Sequence, residues 1–290
     1  MKTIAMIAWC AAFAAAATAL AQPPSTGPGV LDRIRQEGTV RIGYRSNAAP
    51  FSRAGTDGRP QGYSIDLCHA IVEDLSAALG GRSLRIEYVL VTPEDRLDQV
   101  TRGRVDLECG ATTNTEERRK RVGFSPPIFV AGTRLLVKRG NPLHSMRDMA
   151  GRTIVTVTGT TNARAMVALG SGQVRNLRVT TARSYEQALA VLDLGEADAL
   201  AADDILIMGF LAERGLRDSY IMVGDPLTQD IYGIAFAPDP RLSDVVKVTF
   251  ARLAASGELR PLYDKWFSRL GLPMGAYLES LFRGLGMPAR

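Results

Sequence analysis

The sequence predicts an α/β protein of two lobes, each a mostly parallel sheet flanked by helices. Short β-rich runs alternate with amphipathic stretches along the chain, which is the pattern of helices layered on parallel strands. Two such sets follow one another, each the size of a small domain of roughly 100 residues. The 290 residues are 46% apolar and 22% charged, sufficient for two hydrophobic cores and too hydrophobic for a disordered chain.

The first set contains three predicted strands and three predicted helices. The strands are the β-rich runs at 40–44, 84–90 and 105–109. Ser64 is predicted to cap a helix that ends near Leu79, since a serine hydroxyl accepts hydrogen bonds from the free N–H groups of a first turn. Pro93 is predicted to begin a helix to Thr101. Thr115 is predicted to cap a short third helix.

The second set begins near residue 134 and repeats this alternation. Its predicted strands are 134–138, 153–157, 176–180 and 198–202. Its helices are predicted to start near Thr160, Ser184 and Asp204. The remainder supplies a strand at 232–236 and helices near 240–255 and 258–267, with no signature of a third domain.

The N-terminus predicts export. Residues 1–21 have the form of a cleavable signal peptide, with Lys2 before an uncharged apolar run and Ala-Leu-Ala at 19–21 before the cleavage point. Residues 22–29, rich in proline and glycine, are predicted to be a flexible tether.

Two cysteines, Cys68 and Cys109, follow the signal peptide. An even pair in an oxidising compartment is typical of a disulfide. Cys68 also lies on an apolar helical stripe between Ile65 and Leu79, which is typical of a buried free thiol. Both interpretations stay open at this point.

The positive charge does not indicate a nucleic-acid partner. Lys and Arg total 35 against 30 Asp and Glu, a formal net charge of +5. The only dense basic cluster is Arg-Arg-Lys-Arg at 118–121, and two glutamates precede it. We interpret this cluster as a solvated helical face and expect no nucleic-acid partner.

Polar residues concentrate where predicted strands end, and ligands of α/β sheets bind beyond the carboxyl ends of strands. These segments are Arg45–Asn47, Thr92–Arg96, Gly110–Arg118, Thr158–Thr161 and Asp203–Asp204. Arginine forks and hydroxyls suit a carboxylate, and an aspartate that follows an apolar strand suits an ammonium. Each also has a structural alternative: the arginines as surface residues, and Thr115, Thr161 and Asp203 as helix caps.

Signatures of catalysis and of cofactors are absent from the sequence. The two histidines, His69 and His144, have no local pattern of a catalytic base or metal ligand. The sequence has no Gly-x-Ser-x-Gly, no phosphate-binding loop motif and no Cys/His metal spacing. We therefore expect a protein that is not an enzyme and holds no cofactor or metal.

The residues at these strand ends resemble a known family. The run Glu108-Cys-Gly-Ala-Thr-Thr-Asn-Thr-Glu-Glu-Arg118 and the segment Phe129–Val137 are similar to periplasmic glutamate/aspartate-binding proteins of ABC importers. Further matches, spread in order over residues 30–270, are Gly43–Arg45, Pro50–Phe51, Gly62–Ser64, Gly159–Thr161, Asp203–Asp204, Tyr232–Gly233 and Asp264–Phe267.

This resemblance implies the periplasmic-binding-protein fold, in which two lobes close on a ligand about a two-stranded hinge. The chain is expected to cross the hinge near 131–133 and 230–233. Lobe 1 is then 30–131 with 233–290, and lobe 2 is 132–232. The resemblance also implies a periplasmic monomer whose partners are glutamate or aspartate and a membrane permease.

The resemblance assigns roles to residues that would hold the amino-acid backbone of the ligand. Arg118 would bind the α-carboxylate through two hydrogen bonds, assisted by the hydroxyls of Thr113 and Thr161. Asp203 would accept the α-ammonium.

The ligand side chain would meet Arg45 and Arg96, which implies a second carboxylate. The sequence departs from the family pattern at three positions nearby. Pro93 and Ala111 stand where the family often has serine, and Tyr185 stands where relatives with acidic ligands carry histidine. The Tyr185 phenol retains the ability to donate a hydrogen bond to the ligand.

Two alternatives follow from these departures and from the fold. The first is a binding protein for another polar amino acid, glutamine or asparagine. The second is a secreted enzyme similar to cyclohexadienyl dehydratases, which resemble these binding proteins. Such an enzyme would need an acid or base in the cleft, and Glu108 and Asp204 are the nearest candidates.

Overall fold

The computed structural model describes residues 29–286. The predicted signal peptide, and the tether apart from Gly29, lie outside the described residues. Between residues 29 and 286, no helix combines the length and the apolar character that crossing a membrane requires.

The described chain contains ten α-helices and fifteen strands. Before the second lobe these are α1 (Val30–Glu37), β1 (Thr39–Tyr44), β2 (Asn47–Ala48), β3 (Ser52–Ala54), β4 (Pro60–Gln61), α2 (Tyr63–Ala78), β5 (Arg85–Leu90), α3 (Arg96–Thr101), β6 (Leu107–Glu108), α4 (Glu116–Arg119), β7 (Gly123–Phe124) and β8 (Phe129–Ala131). Next come β9 (Thr133–Lys138), β10 (Thr153–Val157), α5 (Thr161–Gly170), β11 (Arg178–Ala182), α6 (Tyr185–Asp193), β12 (Ala199–Asp203), α7 (Asp204–Arg214), β13 (Tyr220–Val223) and β14 (Asp230–Tyr232). The last elements are β15 (Ala235–Phe236), α8 (Pro240–Ala255), α9 (Leu259–Phe267) and α10 (Ala276–Leu285).

Each lobe contains one five-stranded sheet. The strand orders are β5-β1-β6-β15-β7 in lobe 1 and β11-β10-β12-β9-β13 in lobe 2. In each sheet two of the pairings are parallel and two are antiparallel, so the sheets are mixed rather than mostly parallel. The reversed strands β9 and β15 are those that the chain enters directly after crossing between the lobes.

Two short strands connect the lobes. β8 pairs with β14 in antiparallel register, Phe129 opposite Tyr232 and Ala131 opposite Asp230. Both positions fall where the hinge crossings are predicted, and the exact lobe limits stay a prediction. The strand predicted at 232–236 is two strands, because the chain leaves the hinge at Gly233 and then joins the lobe 1 sheet.

An aromatic cluster joins the hinge to lobe 1. The Phe51 ring lies 5.2 Å from both the Phe129 and the Tyr232 ring, measured between centroids. The Phe129 ring stacks on Phe267 at 4.9 Å. Edge and stacked contacts of this kind stabilise beyond the area they bury, so the turn between β2 and β3 is held against both hinge strands.

Cys68 and Cys109 form a disulfide that closes a loop over a sequence separation of 41. It joins α2 to the residue directly after β6. The disulfide interpretation is therefore confirmed, and the free-thiol interpretation is wrong.

Two predicted helix starts, at Ser64 and Pro93, are wrong. Gly62, at a φ of +148°, precedes α2, and a Cβ there would lie 2.0 Å from the Phe51 carbonyl oxygen. Ser64 is consequently inside the helix, and its hydroxyl donates to the Gly110 carbonyl oxygen at 2.7 Å. Pro93 lies in a turn before α3, which begins at Arg96.

The structure also contains one strand that is displaced from its predicted position and several elements that were not predicted. The strand predicted at 176–180 is observed two residues later, as β11. β13, α10 and the small antiparallel sheet of β2, β3 and β4 were not predicted. The apolar residues Leu278 and Phe282 of α10 are buried, and this helix packs on α8.

Candidate functional site

Arg45 follows β1 directly and is 5% exposed. Its backbone N–H donates to the Ser52 hydroxyl at 2.9 Å, and that hydroxyl donates to the Arg45 carbonyl oxygen at 3.0 Å. The guanidinium Nη2 donates to Oδ1 of Asn47 at 3.1 Å. Burial, with the charge of Arg96 as a further cause, lowers the pKa of Arg45. The surface-residue interpretation of Arg45 is therefore wrong.

Arg96 begins α3 and is 3% exposed, so it is not a surface residue either. Its Nε donates to the Thr112 hydroxyl at 2.6 Å, and its Nη1 donates to the Pro93 carbonyl oxygen. Burial lowers the pKa of Arg96. Pro93 thus supplies a backbone acceptor to this arginine, although it has no N–H of its own.

Arg118 is buried, whereas residues 119–121 of the same basic cluster are exposed. Thr115 caps its helix as predicted, because its hydroxyl accepts from the Arg118 N–H at 3.2 Å. Nη1 donates to the Thr113 carbonyl oxygen at 2.9 Å, and Nη2 donates to the Gly159 carbonyl oxygen of lobe 2 at 3.3 Å. Burial, followed by the charges of neighbouring arginines, lowers the pKa of Arg118 to about 9.

Thr113 and Thr161 meet across the cleft, with their hydroxyl oxygens 3.3 Å apart. Thr161 is the first residue of α5, and the preceding Thr160 is its cap, as its hydroxyl accepts from the Ala163 N–H. The positive end of the α5 dipole therefore lies at Thr161, beside the Thr113 hydroxyl. Gly159, at a φ of +77°, permits the approach, because a Cβ there would lie 2.5 Å from Cα of Glu94.

Asp203 ends β12 and is 4% exposed. Its side chain makes no hydrogen bond that caps α7, so the capping interpretation is wrong. The carboxylate instead accepts from the Tyr232 phenol and from Nδ2 of Asn162 at 2.8 Å. Burial and then the charge of Asp230 raise the pKa of Asp203 to about 6.

Tyr185, the first residue of α6, is 3% exposed. Burial, followed by the charge of Asp203, raises its pKa, and the charges of Arg45 and Arg96 oppose this. The phenol thus stays protonated and lies within the electrostatic influence of both arginines and Asp203.

Glu108 and Asp204 differ in their surroundings. Glu108 is fully buried, and neither of its carboxylate oxygens has a hydrogen-bond partner within residues 29–286. Its charge raises the pKa of both Arg45 and Arg96 against the effect of burial.

Asp204 accepts from the N–H groups of Gly132 at 3.2 Å and Ile205 at 2.7 Å, which fixes the hinge crossing to α7.

Three of the seven predicted site residues meet where the lobes touch, Thr113 with Thr161 and Arg118 with the Gly159 carbonyl oxygen. The other four, Arg45, Arg96, Tyr185 and Asp203, are buried, and their charges influence one another. Four residues that join them were not predicted as site residues: Asn47, Asn162, Glu186 and Tyr232. Asn47 lies two positions after its partner Arg45, and Tyr232 is in a matched motif, but Glu186 and Asp203, which they contact in lobe 2, are remote in sequence. Among the described residues, no cluster of His, Cys, Asp or Glu has the arrangement of a metal site.

Residues 40–269 match the bacterial extracellular solute-binding proteins, family 3. The chain belongs to this family. It is 37% identical over 253 residues to the L-glutamate/L-aspartate-binding protein of Pseudomonas aeruginosa, covering 87% of this chain and 84% of that one. It is 33% identical to the glutamate/aspartate import solute-binding protein of Escherichia coli K12, covering 86% and 83% of the two chains.

Solved structures of amino-acid-binding proteins share this fold. One is the ancestral amino acid-binding protein AncCDT-1, a precursor of cyclohexadienyl dehydratase. The TM-score is 0.69 at 26% identity, and the match covers 82% of this chain and 99% of the other. The predicted two-lobed fold is thus confirmed, with mixed sheets in place of mostly parallel ones.

Proposed function

We propose that this solute-binding protein captures an acidic amino acid, glutamate or aspartate, between its lobes in the periplasm and delivers it to an ABC-type permease. The observation that carries the proposal is the hydrogen bonding of three buried arginines. In the described part of the chain, Arg45, Arg96 and Arg118 donate only to uncharged oxygens. Glu108 is the nearby carboxylate, but its oxygens accept no hydrogen bond from these arginines within residues 29–286, and one anion does not balance three buried cations. Carboxylates of the ligand would supply the missing negative charge. The names of the two relatives support the same ligands.

The α-carboxylate is assigned to the place where both lobes supply donors. Arg118 contributes guanidinium N–H groups from lobe 1, and Thr113 and Thr161 contribute hydroxyls from the two lobes. The N-terminus of α5 adds a favourable dipole. Because these donors come from opposite lobes, binding here favours the closed arrangement.

The α-ammonium is assigned to Asp203. This carboxylate already accepts hydrogen bonds from Tyr232 and Asn162, and burial opposes its ionisation. An ammonium ion would compensate the buried charge. Tyr232 and Asn162 would then hold the carboxylate oxygens in place for that contact.

The side-chain carboxylate is assigned to Arg45 and Arg96, with Tyr185 as a further donor. A second carboxylate would offer both guanidinium groups a charged acceptor. An amide in the same position would offer one neutral oxygen and an NH₂ group, so one arginine would lose its acceptor and the ligand would bring no negative charge. Glutamine and asparagine are therefore expected to bind more weakly.

The ligand class is tested by titration calorimetry of mature protein that has been unfolded, stripped of carried-over ligand and refolded. The panel contains glutamate, aspartate, glutamine and asparagine. One molecule of glutamate or aspartate per chain is the expected result. Tight binding of glutamine with no binding of glutamate would exclude the proposal.

The proposal includes no reaction, no nucleic acid and no second copy of the chain. The absence of a reaction is supported by Asp204, because the carboxylate of this candidate acid or base is bonded to backbone N–H groups at the hinge. The likeness to AncCDT-1 is to an amino-acid-binding protein. Incubation with a prephenate-like acid tests the enzymatic alternative, and recovery of that acid unchanged is the expected result.

A further inference from the structure

Asn47 bridges a site arginine and the opposite lobe. Its Oδ1 accepts from Nη2 of Arg45 at 3.1 Å, and its Nδ2 donates to Oε2 of Glu186 at 2.9 Å. Asn47 lies on β2 of lobe 1, and Glu186 lies on α6 of lobe 2. One amide group therefore connects a cation of the binding site with an anion across the cleft.

The charges at its two ends strengthen this bridge. A guanidinium on the amide oxygen and a carboxylate on the amide nitrogen polarise the group in the same direction, so each hydrogen bond favours the other. Oε1 of Glu186 also accepts from Arg214 at 2.8 Å, which fixes the carboxylate within lobe 2. Burial alone would raise the pKa of Glu186, but hydrogen bonds from its own backbone N–H, from Ser184 and from Asn47, together with the Arg214 charge, hold it below its ordinary value.

We infer that Asn47 and Glu186 form a latch that stabilises the closed lobes and also positions Arg45 for the ligand side chain. The inference rests on the proposed function, because it assigns Arg45 to that side chain. Since the Asn47–Glu186 hydrogen bond crosses the cleft, it forms only when the lobes close. Asn47 is the positioning residue, and Glu186 gives it an orientation that depends on closure.

Besides the Asn47–Glu186 hydrogen bond, two ion pairs cross the cleft, and neither includes a site arginine. Arg53 of lobe 1 lies 3.5 Å from Glu213 of lobe 2, with both side chains more than one-third exposed. Glu117 of lobe 1 pairs with Arg164 of lobe 2, and both are exposed. Exposed pairs of this kind contribute little. Glu213→Ala is therefore the matched control for Glu186→Ala.

The test is a double-mutant cycle of Asn47→Ala and Glu186→Ala. Association and dissociation rates for glutamate are measured by stopped-flow fluorescence. Trp266 is the reporter, because it lines the groove between the lobes together with Gly209 and Glu213. Each single variant is expected to dissociate about tenfold faster with little change in the association rate. The double variant should dissociate no faster than Asn47→Ala, and Glu213→Ala should stay within about twofold of the wild type.

The selectivities of the two single variants separate the two roles. Glu186→Ala removes the contact across the cleft but keeps the neutral acceptor of Arg45, so dissociation should accelerate while the preference for glutamate over glutamine is kept. Asn47→Ala should lose part of that preference, because Arg45 loses its hydrogen-bond acceptor. Thermal unfolding of each ligand-free variant checks that it is folded.

The latch is overturned if the single effects simply add in the double variant, or if Glu186→Ala behaves like Glu213→Ala. Failure of the proposed function has a different signature, since the wild type would then bind no acidic amino acid. In that case the same cycle is measured with whichever amino acid of the panel binds. Non-additivity there supports the latch, and additivity removes it.

Discussion

Tyr232 of the hinge strand β14 donates a hydrogen bond to Asp203, the residue at the end of the lobe 2 strand β12. Burial, followed by the Asp203 charge, raises the pKa of Tyr232 well above its ordinary value, so the phenol remains a donor. The same carboxylate accepts from Asn162, whose Nδ2 also donates to the Thr133 hydroxyl at 2.7 Å. The carboxylate assigned to the ligand ammonium is thus bonded directly to one hinge crossing, through Tyr232, and indirectly to the other, through Asn162 and Thr133.

Tyr232→Phe should weaken the binding of every amino acid by about tenfold. The ring keeps its packing against Phe51, but Asp203 loses a donor and with it a fixed orientation. Calorimetry measures the affinity. Tyr263→Phe is the control, because the Tyr263 hydroxyl donates to the Pro273 carbonyl oxygen, and no change is expected there. Equal affinities of the wild type and Tyr232→Phe would remove this phenol from the ammonium site.

The affinity should fall below pH 6. With its pKa raised to about 6, the Asp203 carboxyl of the empty site is protonated at lower pH, and an ammonium ion must displace that proton. Calorimetry at pH 7 and pH 5 should show a roughly tenfold weaker complex at pH 5. The side-chain carboxylate of glutamate, with a pKa of about 4.3, stays mostly ionised over this range. His69→Gln should leave the profile unchanged, and an identical Kd at both pH values would contradict the role of Asp203.

The raised pKa of Asp203 also determines how the free energy of unfolding of the empty protein changes with pH. Between about pH 4 and pH 6 the empty native protein retains a proton on Asp203 that the unfolded chain releases, so this group makes the native state less stable as the pH rises. Ligand binding should offset that loss, because an ammonium ion stabilises the ionised form.

Arg118→Ala should abolish the binding of acidic and amide amino acids alike. All amino acids share the α-carboxylate, and Arg118 is the cation assigned to it. Arg119→Ala is the control, because Arg119 is an exposed neighbour that donates to Asn114. Calorimetry compares the two variants. Retained glutamine binding by Arg118→Ala would show that this arginine meets the ligand side chain instead.

The disulfide should contribute to stability. In the chain-entropy description, a loop with a separation of 41 residues corresponds to about 4 kcal/mol in the free energy of unfolding. The double variant with serine at Cys68 and Cys109 should lose about that amount in denaturant titrations. Alkylation followed by mass measurement checks the bond first, and labelling of two thiols without reductant would contradict it.

The sequence predicted best what depends on local interactions. The cap at Thr115 and the helix starts near Thr160 and Ser184 are observed, because a short hydroxyl side chain meets the N–H group three residues further on. The alternative cap at Thr161 is wrong, since Thr160 holds that position. Helix α8 begins and ends where its amphipathic pattern does. Of the polar segments at strand ends, Gly110–Arg118 and Thr158–Thr161 meet between the lobes, and the role of the others in binding stays a prediction.

Long-range contacts explain what the sequence could not predict. Ser64 has the pattern of a cap, but a carbonyl oxygen 46 positions away takes its hydroxyl. Asn47 and Glu186 are 139 positions apart, and no periodic pattern relates them. The direction of β9 and β15 follows from the way the chain crosses the hinge, which periodicity does not encode.

The most direct test of acidic selectivity is the ratio of the Kd for glutamine to the Kd for glutamate, measured by calorimetry on stripped wild-type protein and on Arg45→Ala and Arg96→Ala. Two buried guanidinium groups that require a carboxylate predict a ratio of about 100 or more in the wild type. Each variant should reduce that ratio by at least about tenfold, mainly by weakening glutamate. A ratio near one in the wild type, or an equal loss for both ligands in the variants, would contradict the proposal that Arg45 and Arg96 select an acidic side chain.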